Sequence, residues 1–434
     1  MARFLFTYWP FPGEIYQPLS IALALQARGH SIAFYTGARV QPVLEEQGCT
    51  VFPFQDLDEA SVWDAFVGLE SSAADWRSAR SLVTFLRRWL VDSLPDQVSD
   101  LQRIVATWQP DVIVASPYMY GPPLVLRELL TVPIALSTVT IFCLIPGKDV
   151  PPYGPGLPPP RNWRTRLLAR CAAIMTDVSG RGLRRQVDQT RARYGLAPLG
   201  GTVNSYTARL PLYLVPSIRE LDYGRRDLPP SVHYVGPCIW NKPSTAQAPE
   251  WLDELPTNEP WVHVTEGTLH YQEPLVLRAA AQGLANRPMQ VILTTGLHRD
   301  PESLHLGAVA PNIVVKQWVS HSDLLPRCAV VVTTGGAGTV MAALQLGIPL
   351  IIVPTALDKP ENAQRVVEAG VGLRLAPRHC TPERLRAAVE HILNEPKFRD
   401  NAQQLAQRLS AERGPETAAD LLENLVPASP STAH

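Results

Sequence analysis

The chain has 434 residues, 46% of them hydrophobic and 18% charged, with a formal charge of −1. That length exceeds what one hydrophobic core organises and suggests two domains, and the near-zero charge excludes a surface built globally for nucleic acid. Six singly placed cysteines (Cys49, Cys143, Cys171, Cys238, Cys328, Cys380), with no C-x-x-C pair, exclude a disulfide-stapled secreted scaffold and fit a reducing cytoplasm.

The N-terminal MARFLFTYWPFPG is too short in its apolar run for a signal peptide, and no stretch approaches the ~20 apolar residues of a membrane span. Neither export nor insertion is expected. Residues 3–8 (RFLFTY) read as a buried strand, 18–28 (PLSIALALQAR) as an amphipathic helix stopped at Gly29, and 30–35 (HSIAFY) as a second strand. The pattern recurs with strand 111–115, helix 123–130 and strand 134–137, which predicts a parallel sheet. Residues 146–160 (PGKDVPPYGPGLPPP) cannot be helix or central strand and must form a long loop, either a binding loop or a surface excursion. Directly after it, residues 161–193 carry nine arginines against Asp177 and Asp188, a local charge of +7. This segment, with Trp163, reads as a solvated face or as a contact for an anionic lipid surface or an acidic partner.

Residues 227–250 are Pro-rich and polar apart from one short strand, as a linker is. From residue 258 the alternation restarts: WVHVTEG, a helix over 274–285, QVILTTG, NIVVKQW, AVVVTTGG, a helix over 339–346 and PLIIVP. This predicts a second doubly wound domain.

The turn Gly335-Gly336-Ala337-Gly338-Thr339 puts free backbone N–H groups and the positive end of a helix dipole at one point, which attracts phosphate. It is neither a P-loop nor a dinucleotide fingerprint, and for the turn alone glycines that merely let a helix pack on a sheet are an equal reading. Trp318 and Asp358 follow neighbouring strands at the same carboxyl edge, where open α/β sheets bind ligands. An aromatic, a phosphate nest and a carboxylate at one edge suit a nucleoside diphosphate sugar.

The run WVHVTEGT and the run QWVSHSDLLPRCAVVVTTGGAGTVMAALQLGIPLIIVPTALDKPENAQRVVEAGVG resemble the donor-binding signature of glycosyltransferase family 1, and PFPGEIYQPLSIALALQARGHSIAFYT extends the resemblance to the N-terminus. The bacterial macrolide and natural-product branch is the most similar. The resemblance implies the GT-B fold, two facing Rossmann-like doubly wound domains: residues 1–235 bind the acceptor, 236–255 link, 256–410 bind the donor, and 411–434 carry a helix that packs back on the first domain, then a tail. It implies inverting transfer of a hexose or deoxyhexose from a UDP- or dTDP-sugar to a hydroxyl of a small, largely apolar acceptor, with no metal and no cofactor beyond the nucleotide-sugar co-substrate. The donor set is Gly267, Thr268, Trp318, Val319, Thr334, Gly335, Gly336, Ala337, Gly338, Thr339, Asp358 and Lys359. Trp9, Phe11, Phe85, Tyr118, Phe142 and Tyr153 are expected to wall the acceptor pocket, along with the 146–160 loop and residues 63–85.

The chain departs from the family at several of these points. Thr334 replaces a His that contacts diphosphate, Asp358-Lys359 replaces an Asp-Gln pair, and Ala342 replaces an acidic residue that grips the ribose. Gly13-Glu14 replaces the Gly-His step whose His deprotonates the acceptor, and Ser116 stands where an Asp orients that His. Glu14 is therefore assigned as general base, its pKa raised by burial against Tyr8, Trp9 and Phe11; otherwise it is a polar loop residue and the base lies elsewhere or is not needed. His30 reads as a helix cap and His263 as core. His270, His298 and His321 could reach phosphate, although His321 also reads as a helix start with Ser322 as N-cap. No metal-ligand spacing occurs. A sugar-nucleotide epimerase, a degenerate non-catalytic relative and a membrane-surface transferase with a lipid acceptor are the competing readings, and no motif specifies an oligomer.

Overall fold

The computed structural model describes residues 1–64, 84–241, 249–267, 273–296 and 299–427. Two parallel sheets organise it. The first contains β1 (Arg3–Thr7), β2 (Ser31–Thr36), β3 (Thr50–Pro53), β4 (Val112–Ala115), β5 (Ile134–Ser137), β6 (Leu212–Val215) and β7 (Val232–Tyr234) in the order β3-β2-β1-β4-β5-β6-β7. The second contains β8 (Trp261–Thr265), β9 (Gln290–Thr294), β10 (Ile313–Lys316), β11 (Cys328–Thr333), β12 (Leu350–Ile352) and β13 (Gly372–Arg374) in the order β10-β9-β8-β11-β12-β13. Strands such as FLFT, VIVA and VVVT are buried along their length because helices cover both faces, so they read as apolar runs rather than as alternation.

Helix α1 (Pro12–Ala27) begins earlier than the sequence reading at residue 18. Pro12 occupies the first turn, where a missing N–H costs nothing, whereas Pro18 lies inside the helix. The correction lifts Glu14 out of a loop and fixes it in a helical first turn. The predicted helix over 123–130 is π-helical over Pro122–Leu126 and α-helical only over Arg127–Leu129. A second π-helical stretch, Arg87–Asp92, leads into α2 (Leu94–Trp108). Gln97 of α2 accepts from the Gly121 amide at 2.7 Å and donates to the Ser93 hydroxyl at 2.9 Å, so one buried side chain ties the two wide turns together.

Residues 161–193 contain α3 (Trp163–Arg193), capped by Asn162, whose side chain accepts from the amides of Arg164 and Thr165. The glycine turn leads into α4 (Ala337–Gln345), and α5 (Lys359–Glu368) follows β12. The last helix, α6 (Gly414–Glu423), lies on α1 of the first sheet: Ala418, Ala419 and Leu422 enter that domain's core, and Arg28 bridges to Asp420 at 2.6 Å and to Glu423 at 2.8 Å. His30 is a tie rather than a cap, since its Nδ1 accepts from the Ala2 amide and its Nε2 lies 2.7 Å from Glu423.

A buried ionic cluster joins the two sheets' domains. Arg365 of α5 reaches Asp222 at 2.7 Å and Glu361 at 2.9 Å, and stacks over Phe142 at 3.9 Å. Glu361 also accepts from the amides of Gly154 and Gly156 at 3.0 and 2.9 Å, pinning the Pro-rich loop to α5. Gly156 has φ +60, and a Cβ there would lie 2.1 Å from the Pro360 carbonyl oxygen, so only glycine permits this approach.

Candidate active site

In each sheet the strand order reverses direction once, between β1 and β4 and between β8 and β11, and crevices form at the carboxyl ends of such strand pairs. The segments after β1 and β4 carry Glu14 and Ser116, and those after β8 and β11 carry Gly267 and the glycine turn. The chain therefore builds two half-sites by the same rule.

In the first half-site the Ser116 hydroxyl donates to Glu14 Oε2 at 2.7 Å, with both residues buried. Burial pushes the Glu14 carboxyl up to about 8; the Ser116 hydrogen bond opposes the shift and the charge of Asp358 adds to it. Burial raises Tyr118 and Tyr153, and the charge of Asp358, from the second half-site, adds to both shifts, so these groups lie near one another. The Tyr118 and Tyr153 hydroxyls are 3.3 Å apart.

The expected acceptor wall divides. Trp9, Phe11, Phe85 and Tyr118 form one aromatic cluster around Trp89, a residue the sequence reading missed. Trp9 donates its indole N–H to the Tyr118 carbonyl at 2.7 Å, whereas the buried Trp89 Nε1 has no partner among the described residues. Trp89 lies in the π-helical stretch, and no periodicity in the sequence marks such a turn. Phe142 does not join this cluster. It packs in the core of the second domain under Arg365, because the guanidinium covers its ring face. Tyr153 stands between, 6.0 Å from the Phe142 ring. Of residues 63–85, Trp63 contacts Phe11 at 5.5 Å, and 65–83 lie outside the described residues.

In the second half-site the glycines have distinct functions. Gly335, at φ +97, is pressed against Ile352, where a Cβ would come within 2.6 Å. Gly336 and Gly338 meet nothing within 4 Å, so close packing does not explain them. α4 starts at Ala337 with Gly336 as N-cap and no side-chain cap, which leaves its first amides, through Thr339, directed outward as a concentrated positive pole. Thr334 does not offer its hydroxyl to that pole. It donates to the Glu266 carbonyl at 3.0 Å, tying β11 to β8, so only the backbone of Thr334 faces the turn. Ala342 is buried in the core and carries no polar atom toward the crevice.

Asn362, also missed from sequence, joins the parts: its amide donates to the Gly335 carbonyl at 2.8 Å and to Asp358 at 2.9 Å. Burial raises the pKa of Asp358 against the opposing effects of Lys359 and Asn362. Lys359 donates to the Thr355 hydroxyl at 3.1 Å. Trp318 follows β10 with half its surface exposed, free to offer a flat face, while Val319 beside it is buried. Gly267, at φ +86, lies at the end of β8; Thr268, His270 and His298 are outside the described residues. Glu266 next to it is pinned by Arg299 at 3.0 Å and accepts from the Val276 amide.

His263 bonds Thr294 in the core, where burial lowers its pKa to about 3. His321 opens a short helix, His321–Leu324, with Ser320 rather than Ser322 as its N-cap. Among the described residues no group of three or more His, Cys, Asp or Glu could hold a metal ion, and no helix is long and apolar enough to cross a membrane.

Residues 286–425 match the family described as Erythromycin biosynthesis protein CIII-like, C-terminal domain. The 4'-demethylrebeccamycin synthase of Lentzea aerocolonigenes is 31% identical over 432 residues, covering 98% of this chain and 100% of that enzyme. Among solved structures, the glycotransferase of kitacinnamycin aligns with a TM-score of 0.76 at 23% identity over 98% of this chain and 99% of that one. The glycosyltransferase VinC in complex with dTDP aligns with a TM-score of 0.69 at 20% identity over 98% and 99%. Kinship along the whole chain and a matching arrangement of two parallel-sheet domains establish that this protein belongs to the GT-B glycosyltransferases of bacterial natural-product biosynthesis.

Proposed function

We propose that the enzyme transfers a hexose or deoxyhexose from a UDP- or dTDP-sugar to a hydroxyl of a small, largely apolar acceptor, with inversion and without a metal ion. The observation that carries this reading is Glu14: a buried carboxyl at a strand switch point, oriented by Ser116 at 2.7 Å, with its pKa near 8, opposite Asp358. Its carboxylate takes the proton of the acceptor hydroxyl as that oxygen attacks the anomeric carbon from the first half-site. The bond to the diphosphate breaks on the opposite face, and its electron pair stays on the leaving phosphate oxygen. The outward amides of Gly336, Ala337, Gly338 and Thr339 meet that charge, Asp358 accepts from sugar hydroxyls, and the nucleotide base stacks on Trp318. The dTDP complex of VinC supports a nucleotide donor of this class.

Because a carboxyl with a pKa near 8 is mostly protonated at pH 7, turnover should rise with pH to a plateau above about 8. Glu14→Gln is expected to lower turnover by about 10²–10⁴-fold, and full turnover in that variant would sink the assignment of the base. Independently, UDP or dTDP should raise the thermal midpoint of the wild type but not of Trp318→Ala. Absence of a shift with either nucleotide would remove the donor site.

A further inference from the structure

Helix α3 is turned inside out relative to an ordinary surface helix. Its large apolar side chains, Trp163 (69% exposed), Leu167 (55%), Ile174 (66%), Met175 (70%) and Val178 (52%), face outward. Such burial as its first four turns have falls on the small residues Thr165, Ala169 and Ala172. Only near its C-terminal end do side chains bury fully, at Val187, Thr190 and Arg191. At the α-helical period Trp163, Leu167, Cys171, Ile174 and Val178 fall in one stripe that Leu168 and Met175 widen to about 140° of the helix circumference. A soluble helix buries such a stripe against its own domain.

Charge decides what could cover it. Asp177 is held by Arg181 and Arg184 at 3.3 and 3.1 Å, whereas no ion pair among the described residues engages Arg164, Arg166, Arg170 or Arg185, all exposed. The segment 161–193 carries +7 in a chain of formal charge −1. A symmetric pairing of α3 with the same helix of a second copy would set arginine against arginine. A planar anionic surface has neither that repulsion nor any need for a complementary groove; Arg166 and Arg170 flank the stripe, Arg164 stands at its N-terminal end over the Trp163 ring and Arg185 beyond its C-terminal end, an arrangement that suits the headgroup boundary of a bilayer.

We propose that α3 is a membrane-surface docking helix that lies in the interface of an anionic bilayer, with Trp163, Leu167, Ile174 and Val178 inserted and Arg164, Arg166, Arg170 and Arg185 against the headgroups. The helix continues directly from the Pro-rich loop that brings Tyr153 into the crevice. Docking thus holds the acceptor half-site beside a phase in which apolar molecules concentrate; that last consequence rests on the proposed acceptor, while the docking does not.

The test is co-sedimentation of the full chain with vesicles of phosphatidylcholine alone or of phosphatidylcholine mixed with phosphatidylglycerol. Four arginines near an anionic surface should give a preference on the order of 100-fold or more for the mixed vesicles, reduced by salt. Trp163→Ser with Ile174→Ser, and separately Arg164→Gln with Arg170→Gln, should each weaken it by about tenfold or more at unchanged thermal midpoint. Hydrogen exchange should show residues 163–178 protected only when mixed vesicles are present. Equal partition to both vesicle types, indifference to the substitutions, or protection of 163–178 without vesicles, whether by a second copy or by residues 65–83, would overturn the proposal.

Discussion

The carboxyl of Glu14 is buried with the Ser116 hydroxyl as its hydrogen-bond partner, so the folded chain holds a proton there up to about pH 8, while the unfolded chain releases it near 4.5. Between those values the folded state binds more protons than the unfolded one. Stability from this group is therefore complete below about 4.5 and falls by up to ~1.4 kcal/mol per pH unit until about 8. Glu14→Gln keeps the shape of the neutral form, so its thermal midpoint should match wild type at the acid end of this window and exceed it above pH 8. Calorimetry at both ends checks this, and equal midpoints above pH 8 would mean that the carboxyl is solvated. The family resemblance placed Ser116 where an Asp orients the base, but that its hydroxyl would bond Glu14 was not legible in the sequence. Nor was the direction of a second hydroxyl: Thr334 lies in the recognisable turn, yet its Oγ1 is committed to the Glu266 carbonyl 68 residues away in the chain. Asn362 escaped notice for a similar reason, since a carboxamide on an amphipathic helix has no pattern until Gly335 and Asp358 are beside it.

Among the elements, α5 makes two connections that its sequence conceals. Asp358 precedes its first turn, and Glu361, one turn on, holds the amides of Gly154 and Gly156. A buried Glu reads from sequence as an exposed helix residue, because apolar periodicity says nothing about a carboxylate whose partners are backbone amides of another domain. Glu361→Gln weakens that grip and leaves Arg365 with one fewer anionic partner. The expected result is faster hydrogen exchange in residues 150–157 and a higher KM for the acceptor, with less effect on the donor KM; an unchanged exchange rate would show that the prolines alone hold the loop. Strands were the most legible elements, since parallel strands buried on both faces appear as uninterrupted apolar runs. The π-helical turns were illegible, because one extra residue per turn leaves no compositional mark.

The whole molecule rests on a strand order that neither half announces in sequence. Alternation predicts parallel sheets but not which strand neighbours which, and it is the reversals at β1/β4 and β8/β11 that gather the crevice. The C-terminal helix adds a further long-range dependence. Leu422 is fully buried in the core beside α1, so Leu422→Ala should cost ~2–5 kcal/mol. The loss should appear in the unfolding of the first domain although Leu422 follows the second domain in sequence, a discrepancy that domain-resolved hydrogen exchange would register.

If the donor binds at Asp358 and the acceptor beside Tyr153, as proposed, α5 connects the two sites, and any coupling between the two affinities must be reciprocal. If a nucleoside diphosphate tightens acceptor binding by some factor, the acceptor must tighten the nucleotide by the same factor, and Glu361→Gln should bring that factor toward one. Calorimetric titration of each ligand in the presence and absence of the other measures the coupling directly, and a factor already at one in the wild type would mean that the clamp transmits nothing.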